Sequence, residues 1–248
     1  MQGRVNSPRQ AVLLAALVAC VCLAGCESAA FYWQAGSGHL KLMQQRQSID
    51  QLLLDEDLDP EQRARLEQAV AIREYADQSL GLPVEGSYHH LVELEGKYVT
   101  WNVYAAEPLA MEAVQWCFPV AGCVTYRGYF KPEAAEAFAQ GQREKGLDVH
   151  QGGATAYSTL GWFNDPLLSS FLRYDDARLA ALLFHELAHQ VVYVKDDTAF
   201  NESFASAVEE LGLRQWLADE GRQQELAAWA RHDAWVESFT RWLVSHRE

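Results

Sequence analysis

The chain has 248 residues, 49% of them hydrophobic and 22% charged, with a formal net charge of −14. This is the composition of an ordinary folded protein and argues against disorder, and the length admits one domain with a good core or two small ones. The acidic balance argues against nucleic acid as a partner and against charge-driven adhesion to anionic lipid.

The first ten residues carry Arg4 and Arg9 and no acid, and the next fifteen, AVLLAALVACVCLAG, are apolar with small residues at their end. This is the layout of a secretory signal, and the run is short of the roughly 20 apolar residues that a spanning helix needs. Leu23-Ala24-Gly25-Cys26 resembles the bacterial lipobox, which predicts a signal peptide over 1–25 and a lipid-bearing Cys26. The alternatives are an uncleaved anchor or an ordinary secretory signal. Loss of the two arginines with the signal takes the net charge from −14 to −16. Of the five cysteines, Cys20 and Cys22 leave with the signal, so Cys117 and Cys123 remain beside Cys26. In an oxidising compartment the pair in WCFPVAGC favours a disulfide over a metal pair, which would need two more ligands nearby. Together these readings place the protein in the bacterial cell envelope, lipid-anchored and facing the periplasm.

After a tether over 26–37, hydrophobic spacing near three and four predicts helices from His39 to Leu80, broken at Asp59-Pro60, where Asp59 caps a second helix. The expectation is an N-terminal helical hairpin over 38–82. His90 to Ala105 reads as a β-hairpin about Glu95-Gly96, and Cys123 to Phe130 as another strand. Pro132 to Lys145 reads as a helix ended by Gly146. Strands are expected within Leu147 to Thr159. Helices follow over Asp175–Val194, Asn201–Ala218 and Gln223–Ser245, the last amphipathic and carrying Trp229, Trp235 and Trp242. The fold class is α+β, with residues 38–248 as a single domain.

The chemistry lies in LAALLFHELAHQVVYV. His185 and His189, four residues apart, project from one helix face and can hold one metal ion, while Glu186 stands beside the first ligand as a general base. The apolar flanks mark a buried helix, in which two imidazoles and a carboxylate without partners would cost several kcal/mol, of the order of 2–7 per group. A catalytic zinc site needs a third protein ligand and an open position. The candidate is Glu202, which can return from the start of the next helix after the turn at Lys195–Thr198. Asp196, Asp197, Glu209 and Glu210 compete, with Glu209 two turns beyond Glu202 on the same face, available to a second ring of contacts or merely solvated.

HELAHQ followed by FNESFA resembles the gluzincin type of zinc peptidase, in which a glutamate on a second helix is the third ligand. With WCFPVAGCVTYRGYF and AYSTLGWFNDP in the same order behind a lipobox, the chain resembles, from about Cys26 to Trp216, a family of bacterial proteins described as predicted aminopeptidases. The gap between the second His and the Glu is shorter here than in better-known gluzincins. The resemblance implies a zincin-like fold, a Zn2+ cofactor and a peptide substrate. It also implies an edge strand, Ala156 to Gly161, that holds substrate by main-chain hydrogen bonds; a plain strand before a turn is the equal alternative. Tyr157 on that strand is the first candidate oxyanion donor, before Tyr193, Tyr126 and Arg127. His89, His90, His150 and His232 lack ligand-like spacing to the motif. An envelope endopeptidase and a non-catalytic zinc-stabilised envelope protein are the competing functions.

Overall fold

The computed structural model describes residues 30–118, 122–157, 164–195 and 197–246. The expected signal peptide, Cys26, most of the expected rim strand and Asp196 lie outside the described residues. The described residues show a mixed α+β fold of helices and small sheets. They group into two compact units, one from residues up to 44, 100–115 and 125–152, the other from 45–99, 116–124 and 153 onward.

In the first unit, α1 (30–44) and α4 (Pro132–Arg143) accompany a sheet ordered β6-β3-β7, built from β3 (Thr100–Ala106), β6 (Arg127–Tyr129) and β7 (Asp148–Ala154). β3 and β6 run antiparallel with Trp101 opposite Tyr129 and Val103 opposite Arg127. Val103, Tyr129, Ala135 and Ala139 are buried together, with Phe31 and Phe138 packed against them. Residues 30–37 are therefore helix rather than tether. Phe31 has a core to enter, and the Gln34 amide donates to Gly128 O at 3.1 Å while accepting from Phe130 N at 3.2 Å. Gly38 completes the fit, since a Cβ there would stand 2.2 Å from the Phe130 ring.

The second unit carries the HELAHQ helix. Its sheet is ordered β1-β2-β8, from β1 (Gln47–Ser48), β2 (His90–Val92) and β8 (Leu167–Leu168). β1 is antiparallel to β2, and β2 is parallel to β8 with Leu91 opposite Leu167 and Val92 opposite Leu168. The expected hairpin from His90 to Ala105 is not formed. Leu91 and Val92 are an apolar run buried between partners, as a central strand requires, and β3 belongs to the other sheet. The expected strand from Cys123 to Phe130 also divides. β5 (Gly122–Val124) pairs with β4 (Trp116–Phe118), where Cys117 and Cys123 stand opposite and are joined by a disulfide, whereas β6 pairs with β3.

The expected helical hairpin resolves into α1, a short α2 (Ile49–Leu53) and a long α3 (Pro60–Gln78), of which only the last two belong to the second unit. Asp59 caps α3, accepting from Glu61 N at 3.0 Å and Gln62 N at 2.9 Å. α3 packs against α5 (Asp176–Val191), and the Arg65 guanidinium reaches Leu172 O, Tyr174 O and the Asp176 carboxylate at the start of α5. α5 buries Leu179, Leu183, Phe184 and Leu187 completely. It pairs with α6 (Thr198–Asp219), whose close approach depends on Gly212: a Cβ there would meet Leu80 at 2.8 Å and Phe184 at 3.2 Å. α7 (Gln223–Ser245) follows after a turn at Gly221, which has φ +67°.

Candidate metal centre

α5 ends three residues before the expected Val194. Val192 is already extended, at φ −140° and ψ 129°. The reason lies on the next helix: the buried Asn201 amide accepts from Val194 N and donates to Val194 O, both at 2.8 Å. These two bonds satisfy a backbone that has left its helix and tie the turn to the first residues of α6. Asp197 caps α6 by accepting from Phe200 N at 3.0 Å. Glu202 is thereby set one turn into α6, facing α5.

His185, His189 and Glu202 come together, with one ligand atom from each lying within 4.8 Å of the others. The two Nε2 atoms are 3.2 Å apart. Glu202 places Oε2 3.4 Å from His185 Nε2 and Oε1 3.7 Å from His189 Nε2. Donor atoms about 2.0–2.1 Å from a tetrahedral ion are separated by about 3.3–3.4 Å, so this set fits three of the positions around one metal ion. His189 is buried, His185 half-buried and Glu202 exposed, so the centre is open on the Glu202 side.

Behind the first histidine, Glu209 Oε2 lies 2.9 Å from His185 Nδ1, one and a half to two turns along α6 from Glu202. The bond directs His185 Nε2 toward the cluster by fixing the tautomer with hydrogen on Nδ1. It also holds the imidazolium above the usual histidine range, helped by the charges of Glu186, Glu209 and Glu202 and opposed by burial. His189 goes the other way, lowered chiefly by burial. Its Nδ1 is buried without a hydrogen-bond partner among the described residues. The two rings are thus held differently: one by a carboxylate, the other by packing.

A family model described as "Putative aminopeptidase" matches residues 30–248. The chain belongs to this family. No curated protein matches it, and no solved structure does.

The other residues singled out from the sequence of this family member are distributed as follows. Tyr157 is half-buried just beyond β7, and burial, then the charge of Asp165, pushes its phenol up to about 12. Tyr193 lies past the end of α5 and is 55% exposed, so it does not pack beneath the centre. Tyr126 and Arg127 belong to the first unit, where Arg127 is stacked over Phe31 at 4.4 Å and Phe138 at 4.2 Å. His89 bonds locally to Val84 O at 3.0 Å, His150 lies against Tyr104, and His232 lies in the ring series of α7.

One residue near the motif has no signature in the sequence. Tyr88 is buried and has φ +64°, an uncommon conformation for a bulky side chain that costs of the order of 1–3 kcal/mol. Its surroundings leave it little choice. Its N–H donates to Asp165 O at 2.7 Å, and its carbonyl accepts from the Arg73 guanidinium at 2.9 Å. The preceding Ser87 hydroxyl accepts from Asp165 N at 3.2 Å and from the Gln190 amide at 3.1 Å, next in sequence to His189. Burial, then the charges of Glu186 and Asp165, raises the Tyr88 phenol well above its ordinary range. The strained backbone thus carries a protonated phenol into the field of Glu186. Positive φ at a tyrosine has no compositional signal.

Proposed function

We propose that this protein is a zinc-dependent peptidase of the cell envelope, with a zincin-like active-site helix of gluzincin type, and an aminopeptidase as its family's description suggests. The observation that carries the reading is the set His185, His189 and Glu202 at tetrahedral spacing with Glu186 adjacent to the first histidine. Two imidazoles and one carboxylate suit zinc, which when bound supplies a Lewis acid that polarises a carbonyl and lowers the pKa of water to about 7.

The chain's own residues supply the proton chemistry. Glu186, whose charge acts on both His185 and Tyr88, accepts a proton from the attacking water and delivers it to the leaving amine. Glu209 keeps His185 in the tautomer that offers Nε2. Tyr157, half-buried and protonated well above neutral pH, is the phenol that can donate to a developing oxyanion, whereas Tyr88 is buried. A signal peptide over 1–25 and a lipid on Cys26 complete the proposal and hold the enzyme at a membrane facing the periplasm.

The test is metal content measured beside hydrolysis of free and N-blocked peptides, for the wild-type protein and Glu186→Gln. The expected result is one zinc per chain in both proteins, with hydrolysis of free peptides lowered by about 10²–10⁴-fold in the variant. Preference for N-blocked peptides would replace aminopeptidase by endopeptidase. Full hydrolysis by a metal-bearing Glu186→Gln protein would overturn the mechanism.

A further inference from the structure

α7 is a helix of 23 residues with no buried residue. Along one side runs a continuous series of rings: Trp229, His232, Trp235, Phe239, Trp242 and His246. Successive centroids are 6.4, 6.2, 5.5, 6.1 and 4.8 Å apart. The spacings of three and four keep these side chains on one face, which Val236 and Leu243 share. Arg231, Asp233, Glu237 and Arg241 all fall on the remaining arc, and Asp233 turns toward Arg214 of α6 at 3.7 Å. Trp235 is 62% exposed and Trp242 54% exposed. An aromatic face of this length, without Asp, Glu, Lys or Arg and left in water, is a docking surface.

We propose that this face lies on a lipid bilayer, in the plane of its interface. The dimensions disfavour a second copy of the chain. From 228 to 246 the stripe is about 28 Å long and about 10 Å wide, roughly 300 Å², whereas a stable dimer covers about 800 Å² on each partner. A bilayer has no such minimum. Three tryptophans and a phenylalanine opposite a charged arc are the pattern of an interfacial helix, with indole N–H groups at the head groups and rings below. No helix among the described residues is long and apolar enough to cross a membrane, so α7 lies on the surface. The lipid proposed on Cys26 would already hold the chain at a membrane, so α7 has a bilayer within reach. With a net charge of −14 the docking is apolar rather than ionic, so it favours zwitterionic lipid and tolerates salt. The inference is independent of the peptidase chemistry and rests on the proposed membrane address only for that bilayer.

The experiment uses the full chain in vesicles of phosphatidylcholine brominated in the upper acyl chain, which quenches tryptophan on contact. Emission of the wild-type protein minus that of Trp235→Phe/Trp242→Phe reports those two rings alone. The expected result is that this difference emission loses most of its intensity in brominated vesicles and keeps the loss at high salt. Phe239→Glu, a charge placed in the middle of an exposed stripe, should restore most of it while metal content stays unchanged. Unquenched difference emission from vesicle-bound protein would overturn the inference and leave the N-terminal anchor standing. A dimer in solution that Phe239→Glu dissociates would also overturn it, in favour of a second copy. Absence of the wild-type protein from the vesicles would overturn both the inference and the anchor.

Discussion

The Glu209 carboxylate accepts a hydrogen bond from His185 Nδ1 at 2.9 Å, on the side of the ring away from His189. The bond orients His185 for a metal, and the same negative charge holds a proton on the ring above the ordinary histidine range. Protons and metal therefore compete at His185, and metal affinity falls as the pH drops through a value above 6.5. In Glu209→Gln the midpoint of that fall moves down toward 6.5, because the amide oxygen keeps a hydrogen bond without the charge. At a pH above the competition, Glu209→Ala lowers affinity about 10–100-fold through lost orientation. Titration against a competing chelator across pH reads both effects. An unchanged midpoint in Glu209→Gln would show that the carboxylate does not control the ring.

Asn201 is the second residue on which the centre depends without being a ligand. Its amide closes the turn by two bonds to Val194, and Glu202 is its neighbour. Asn201→Ala removes both hydrogen bonds to the Val194 backbone, a loss of about 0.5–1.5 kcal/mol each. Asn201→Asp keeps the acceptor for Val194 N but sets a carboxylate against Val194 O, so it destabilises as well. Both substitutions weaken metal binding, since they release the segment that positions Glu202. Urea unfolding of metal-loaded and chelated protein separates the effects. If the turn positions the ligand, the stabilisation gained from metal is smaller in the variants.

The meeting of His185 and His189 was legible because helical periodicity places i and i+4 on one face of a single apolar helix. Glu202 could be singled out because a short polar turn followed by a second helix returns the chain over the first. The end of α5 was not legible. Val191 to Val194 continues the apolar run, and the signal that stops the helix is a side-chain contact from Asn201. Strand pairing failed for the same reason. His90 to Ala105 has the local pattern of a hairpin, but β2 finds a parallel partner 76 residues away in β8, which no local pattern records. The first half of α1, residues 30–38, was missed because ESAAFYWQAGS has no polar-apolar period, and that half is held by Phe31 and Gln34 against residues beyond position 100. Tyr88 lies at the far end of this scale, since its backbone is held by Arg73 and Asp165, both distant in sequence.

Metal removal has a predictable cost. With no ion, two imidazole nitrogens 3.2 Å apart and a carboxylate oxygen 3.4 Å from one of them remain between α5 and α6. Metal at 1,000 times its dissociation constant stabilises the folded state by about 4 kcal/mol. Chelation therefore lowers the melting temperature by several degrees, and added zinc restores it. The shift is absent in His189→Ala, which removes a ligand that is buried and low in proton affinity. Calorimetry with and without chelator measures this. Equal melting temperatures in the wild-type protein would remove the metal from the account of the fold.

The tyrosines give a prediction at alkaline pH that is independent of metal. Tyr75 is pushed up to about 12 by burial and by its hydrogen bond to Asp219, and Tyr157 to about 12 by burial and the charge of Asp165. Tyr88 stands well above its ordinary range through burial and the charges of Glu186 and Asp165. In each case the folded pKa lies above the unfolded value of 10, so the folded state holds a proton that the unfolded state releases first. The stability these groups contribute is complete below pH 10 and is lost as the pH rises toward 12. Tyr75, Tyr88 and Tyr157 should ionise late, in a phase that coincides with loss of tertiary structure. Tyr88→Phe removes one tyrosinate from that phase. Parallel tyrosinate absorbance and near-ultraviolet dichroism decide the matter: ionisation of all ten tyrosines near pH 10 in a protein still folded would remove the burial of these phenols from the argument.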